Sequence, residues 1–303
     1  MAKLSRQSIG YLYAVSAYLL WGTFPLIVAA ASFADPFEVV VWRLVFGFLF
    51  AILLITVMRS FKELWEIIRN PKKLGWLGVA AFFIFINWTV YVVAIATGHV
   101  IESSLGYFIN PLLTILVAVV FLKERLRKLQ WAALAIALLA VIVLTVDYGR
   151  PPWIAFILAF SFATYSLAKN KIGGRVNAIH SFTIESGLLL PVAAVQFFIV
   201  ASYTPIQFGT AGFWPSMILV GFGIMTAIPL ILFGAAASRI PLAMIGFIQY
   251  LTPTAVFVLG ITVFGEEMPP VRLVGFALVW TGLAVLTFDA LKNRPQKEVS
   301  TEI

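Results

Sequence analysis

Apolar runs of about 20 residues, the length of helix that crosses a bilayer, follow one another along almost the whole chain. They fall at roughly 9–31, 37–58, 74–97, 101–122, 129–147, 151–169, 179–202, 212–237, 241–264 and 270–290. The expectation is an all-α membrane protein with ten transmembrane helices. Composition agrees: 62% of the 303 residues are hydrophobic and 11% charged, and the mean hydropathy is +1.01, outside the range of a soluble domain. Too little chain remains between the runs for a soluble domain.

The net charge of +8 and pI near 9.8 would suit a nucleic-acid partner if the basic residues were scattered, but they are sorted. With the N-terminus in the cytoplasm, Lys3, Arg6, the cluster over 59–73, the cluster over 123–128, Lys169, Lys171, Arg175, Arg239, Lys292, Arg294 and Lys297 all face that side. Only Arg150 and Arg272 face the other, and Arg43 lies inside a span. This is the positive-inside pattern, and it assigns the basic pI to topology and anionic lipid rather than nucleic acid. It predicts a multi-pass protein of the cytoplasmic (inner) membrane with both termini cytoplasmic, and with membrane lipids and a small-molecule substrate as partners. Lys3 and Arg6 ahead of an apolar run, with Ala29 to Ala31 behind it, imitate a secretion signal, but the run exceeds the usual core of about 7–15 residues and is read as a retained span.

The chain also repeats itself. Residues 105–126 read LGYFINPLLTILVAVVFLKERL and residues 246–267 read GFIQYLTPTAVFVLGITVFGEE. Setting Pro253 on Pro111 fixes an offset of 142 residues, which also sets Glu266 on Glu124, Glu185 on Arg43 and Asp289 on Asp147. The expected organisation is two five-helix units, 1–147 and 148–303. Five is odd, so the second copy enters the membrane from the opposite side, giving inverted repeats about an axis in the membrane plane. The charge pattern is edited to match: Lys123 and Arg125 flank Glu124, and their counterparts are Gly265 and Glu267. The competing account is two membrane helices that share a Pro and a Glu by chance. Two similar halves of opposite orientation can exchange conformations and open a central site to either side, which is how secondary transporters alternate access.

Polar side chains in the runs define the candidate pathway. Ser103, Tyr107, Asn110 and Thr114 are spaced to share one helical face, which belongs against the bundle interior rather than lipid. Pro111 removes a backbone hydrogen bond beside Asn110, so a kink is expected there. The counterpart helix carries Gln249, Tyr250, Thr252 and Pro253; the third span carries Asn87, Trp88 and Tyr91, and its counterpart Thr226 and Pro229; the first carries Trp21, Gly22 and Pro25. Pro25, Pro111, Pro229 and Pro253 are the candidate hinges. Packing of helix on helix is the alternative use of such residues. Arg43 and Glu185 are ionisable groups within spans, which are costly enough to point to function. Arg43 serves either as a cationic site or interhelical lock, or it snorkels to the headgroups; Glu185 is a candidate proton carrier.

No enzyme is expected. The chain has no cysteine and only two histidines, and no metalloprotease, phosphate-loop or dinucleotide motif. The S-x-x-K match at Ser166 to Lys169 lacks companions, and the N-x-T match at Asn87 to Thr89 lies in a span. No cofactor and no metal are expected, and without a nucleotide site any energy must come from a gradient.

Several stretches resemble the drug/metabolite transporter superfamily, specifically its EamA-type exporters and within them the RarD group: AYLLWG at 17–22, NW at 87–88, ESSLGYFINPL at 102–112, KERL at 123–126, LAFSFATYSLAKNKI at 158–172, GFIQYLTPT at 246–254 and FGEE at 264–267. The resemblance covers essentially the whole chain. It implies ten helices in two inverted five-helix repeats, a central cavity and export of small molecules. The group's pattern has His before the second-span Arg, where this chain has Trp42, which argues against a proton relay at that span. The expected function is a secondary active transporter, an exporter of small amphipathic metabolites or drugs; the alternative is a non-transporting membrane scaffold or sensor that retains the fold.

Overall fold

The computed structural model describes residues 5–97, 99–149, 151–263 and 270–292. Arg150, Gly265, Glu266 and Glu267 therefore lie outside the described residues, as do the side chains of Ser103, Asp147 and Arg272. The described residues form thirteen α-helices and no strand: α1 (Arg6–Gly22), α2 (Phe24–Ala30), α3 (Pro36–Val57), α4 (Phe61–Ile68), α5 (Pro71–Ala96), α6 (Val100–Phe121), α7 (Lys128–Tyr148), α8 (Trp153–Ile172), α9 (Ala178–Tyr203), α10 (Phe213–Ala237), α11 (Leu242–Ile248), α12 (Leu251–Thr262) and α13 (Pro270–Lys292).

Among the described residues, seven helical stretches are long and apolar enough to cross a membrane: Arg6–Ala30, Pro36–Val57, Pro71–Tyr91, Lys128–Val146, Ala178–Tyr203, Phe213–Ala237 and Leu242–Leu259. Leu105–Phe121 and Leu273–Asp289 are shorter apolar helices among the described residues. Large apolar side chains such as Leu53, Phe160 and Phe198 are exposed along these helices, a surface that hydrocarbon covers and water would not. The chain is a multi-pass membrane protein.

Two expected spans are broken. Thr23 ends α1, its Oγ1 donating to the Leu20 carbonyl at 2.8 Å, and Pro25 stands in the first turn of α2, where its missing N–H costs nothing. The run over 241–264 divides at Gln249 and Tyr250 into α11 and α12, with Pro253 in the first turn of α12. Pro111 and Pro229, by contrast, stand inside unbroken helices, and so does Pro191. The short helix α4 lies in the charged segment between α3 and α5; Leu64 and Ile67 are buried and Phe61 and Trp65 exposed, the division of an in-plane interfacial helix.

Three of the helix pairs separated by 142 residues in sequence pack against each other, antiparallel: α3 with α9, α6 with the α11–α12 pair, and α7 with α13. Along α3 and α9, Gln196 donates to the Phe37 carbonyl at 3.0 Å near one end, and His180 Nε2 lies 3.1 Å from the Ser60 carbonyl just beyond the other. Along α6 and the α11–α12 pair, the Glu124 carboxylate accepts from the N–H groups of Leu242 (2.8 Å) and Ala243 (2.9 Å), while Tyr250 donates to the carbonyl of Phe108, its own counterpart. Leu144 of α7 packs on Gly275 of α13, and Ala133 faces Gly282. The cross-pairs also match: α1 runs along α10 with Tyr18 on Phe233 and α2 places Phe24 on Phe222, as α5 runs along α8 with Asn87 on Leu158. A close approach joins α3 to α10, where a Cβ on Gly223 would stand 2.7 Å from the Gly47 nitrogen. The largest buried apolar cluster draws residues from both halves, including Tyr18, Leu44, Trp88, Ile115, Phe162, Phe182 and Phe233.

Candidate functional site

Asp35 caps α3, accepting from Phe37 N–H at 2.8 Å, with Pro36 in the first turn. This start sets Arg43 two turns into the helix, facing α5. Its guanidinium carbon lies 4.0 Å from the centre of the Trp88 ring and 5.9 Å from that of Phe24. Such a desolvated cation–π contact is worth about 2 kcal/mol. Tyr91 and Tyr107 interact with Arg43 electrostatically. Arg43 Nε is buried and has no hydrogen-bond partner. Arg43 is half-buried, with its guanidinium on the Trp88 ring.

Glu185 lies on α9, and its charge is met. Lys169 Nζ donates to Glu185 Oε1 at 2.7 Å, Ser181 Oγ donates to the same oxygen at 2.6 Å, and the Tyr165 hydroxyl lies 3.4 Å from Oε2. Lys169 also donates to Ser181 Oγ at 2.6 Å. Both charged side chains are almost wholly buried. The sequence reading put Lys169 among the cytoplasmic residues, and this is corrected: α8 continues to Ile172, past the expected end at 169, and turns Lys169 inward onto α9. An apolar-run argument ends a span at its first lysine because it cannot see a carboxylate on the next helix.

Trp88 separates these two charged centres. One face carries Arg43, and its ring also lines a cavity of about 10 Å³ with Tyr165, Phe182, Glu185, Ser186 and Leu230. That space holds at most one water. A metabolite-sized site needs several hundred Å³, so this space beside Glu185 is too small to hold a metabolite. From the antiparallel register of α3 and α9, Arg43 and Glu185 stand roughly 10 Å apart along the helix axes.

The remaining candidates are divided between contacts and free groups. Asn87 Nδ2 donates to the Leu158 carbonyl (2.8 Å) and Ser161 Oγ (3.1 Å), clamping α5 to α8. Thr252 Oγ1 donates to the Tyr18 carbonyl at 2.8 Å, and Tyr250 is engaged with Phe108. Gln249 is buried at the α11–α12 break and accepts from Thr114 at 3.4 Å. Trp21 packs in an aromatic cluster with Tyr18, Phe162 and Phe233. Asn110 Oδ1 is buried without a partner. Arg43, Trp88, Tyr91 and Tyr107 are thus brought together, whereas Asn87, Tyr250 and Thr252 tie helices to one another. Sequence reasoning missed Glu38, fully buried one turn ahead of Trp42. Its carboxylate accepts from Trp42 Nε1 (3.0 Å) and from the N–H groups of Gln207 and Phe208 (2.9 Å each), holding the α9–α10 connection. Its 142-residue counterpart is His180, which performs the same task at Ser60.

Residues 8–146 match the EamA-like transporter family. The chain is 39% identical over 298 residues to Protein RarD of Streptomyces exfoliatus, covering 98% of this chain and 94% of that protein. It is 38% identical over 290 residues to Protein RarD of Escherichia coli (strain K12), covering 96% and 97%. The chloramphenicol-sensitive protein RarD of Pseudomonas aeruginosa is more distant, 26% identical over 290 residues, with 93% of this chain and 95% of that protein covered. A protein solved by crystallography superposes with a TM-score of 0.72 over 94% of this chain and 100% of its own at 21% identity, a likeness of fold. With near full-length relatives at this level of identity, the chain belongs to the EamA-like transporter family, in the RarD group of the drug/metabolite transporter superfamily.

Proposed function

We propose that the chain is a secondary active exporter of small amphipathic metabolites or drugs. It works by alternating access between two inverted five-helix repeats, 1–147 and 148–303, with ten spans in the cytoplasmic membrane and both termini cytoplasmic. The observation that carries this reading is the arrangement around Trp88: a charged centre on α3 and another on its counterpart α9 stand at different depths, with a buried indole and a closed space between them. A substrate at Arg43 is cut off from the Glu185 side, and a rocking of one half against the other would exchange which side is closed. Tyr107, Asn110 and Gln249 line the route, Pro25, Pro111, Pro229 and Pro253 are the hinges, and Glu185 is the group that would exchange a proton.

Flux in proteoliposomes tests the proposal. Purified protein is expected to move chloramphenicol, chosen for the name of the Pseudomonas relative, or another amphipathic probe down a gradient. Alanine at Tyr107, Asn110 or Gln249 is expected to reduce that flux at least about tenfold in protein that still folds; unchanged flux in all three removes them from the pathway. The closed space at Glu185 favours a second reading, a non-transporting scaffold or sensor, and absence of flux for every probe would decide for it.

A further inference from the structure

Among the described residues, Arg43 is an arginine without an anion. Its side chain lies between Trp88 and Phe24, its Nε is buried and unbonded, and among the described residues no carboxylate or carbonyl receives its N–H groups. The carboxylate on the counterpart helix, Glu185, is already committed to Lys169, and Glu38, one turn toward the start of α3, is committed to backbone N–H groups of Gln207 and Phe208. A guanidinium presents five donors in a planar fork that stays charged in proteins, and its natural complement is a planar bidentate acceptor. A charge enclosed in a membrane span without a counter-ion is costly, so the enclosure gains most from a ligand that brings one.

We propose that Arg43 is the carboxylate-binding subsite of the transport pathway, and that the substrates are small monocarboxylates with an apolar or aromatic body. This rests on the reading of the chain as a transporter. A single cation matches a single negative charge; a phosphate dianion would call for a second cation, whereas the groups that interact electrostatically with Arg43 are the tyrosines Tyr91 and Tyr107, whose hydroxyls supply neutral donors. Trp88 and Phe24 supply flat apolar walls for the body of the ligand. Bound in this way, the carboxylate and Arg43 form a neutral pair, which lowers the electrostatic cost of carrying the anion through the closed bundle. Arg43 would then act as both recognition group and counter-ion.

The test uses full-length protein purified in detergent and the matched pairs benzoate and benzamide, phenylacetate and phenylacetamide, hexanoate and hexanamide, with inorganic phosphate as a further probe, all at constant ionic strength. At least one carboxylate is expected to raise the melting temperature while its amide and phosphate do not, since a ligand that prefers the folded state must stabilise it. Arg43→Gln is expected to weaken that carboxylate at least about tenfold, and Arg43→Lys, which keeps the charge and loses the fork, to weaken it less. If Arg43→Gln does not fold, the comparison of carboxylate with amide on the natural chain decides alone. Equal stabilisation by acid and amide, stabilisation by phosphate only, or no shift with any carboxylate would overturn the subsite. Flux distinguishes the two levels: carboxylate binding without flux overturns transport and leaves the subsite, whereas flux of chloramphenicol with no carboxylate binding overturns the subsite and leaves transport.

Discussion

The two charged residues inside the bundle are stabilised by opposite means, and each carries its own consequence. Lys169 and Glu185 neutralise each other at 2.7 Å with Ser181 and Tyr165 completing the network. Removing one partner leaves a buried charge uncompensated, which costs about 3–5 kcal/mol, whereas replacing both with apolar residues of similar size is close to neutral. Lys169→Met alone is therefore expected to lower stability by about that amount in a denaturant titration in mild detergent, and Lys169→Met with Glu185→Leu to recover most of it. If Glu185 is the proton-exchanging group, the double variant should also show a flattened dependence of flux on pH, while a persistent dependence would assign coupling elsewhere. Arg43, by contrast, rests on the Trp88 ring and has no carboxylate partner among the described residues. From sequence, Arg43, Trp88 and Tyr107 are legible as separate polar or aromatic residues in separate spans; that they meet depends on how α3, α5 and α6 face one another.

At the scale of elements, helix positions follow directly from local sequence. A helix in lipid must bond its own backbone, so the extent of an apolar run sets the extent of the helix, and boundaries fall close to the expected ones. The departures have local causes that periodicity does not carry. Thr23 and Pro25 end one helix and start another, and a lone charged segment conceals the short α4 because two turns of helix are below the length at which a pattern stands out. Close packing of α3 on α10 depends on Gly47 and Gly223, where an added Cβ at Gly223 would meet the Phe46 Cβ at 2.5 Å. Gly223→Ala is accordingly expected to push these helices apart and lower stability by about 1–3 kcal/mol, read as a lower midpoint in the same denaturant titration; an unchanged midpoint would mean the contact relaxes without cost.

For the whole molecule, the proposed inverted arrangement makes a topological prediction that the chain's lack of cysteine makes simple to test. Single cysteines replacing exposed Lys72, in the first turn of α5, and exposed Ala211, between α9 and α10, are expected to react with an impermeant maleimide from opposite sides of the membrane, Lys72→Cys from the cytoplasm. Labelling of both from one side would end the proposal of oppositely oriented halves. The sequence by itself determined the class of protein, the positions of the apolar helices and the 142-residue correspondence, because run length, hydropathy and a Pro–Glu spacing are written in consecutive residues. Only the tertiary structure decided what each charge faces: Lys169 turned inward to Glu185, Glu38 spent on a distant connection, Arg43 set on the Trp88 ring, and no more than a water-sized space left beside Trp88 and Glu185. Those outcomes join residues far apart in the chain through the rotation and register of packed helices, and no local pattern encodes which side chain a neighbouring helix will present.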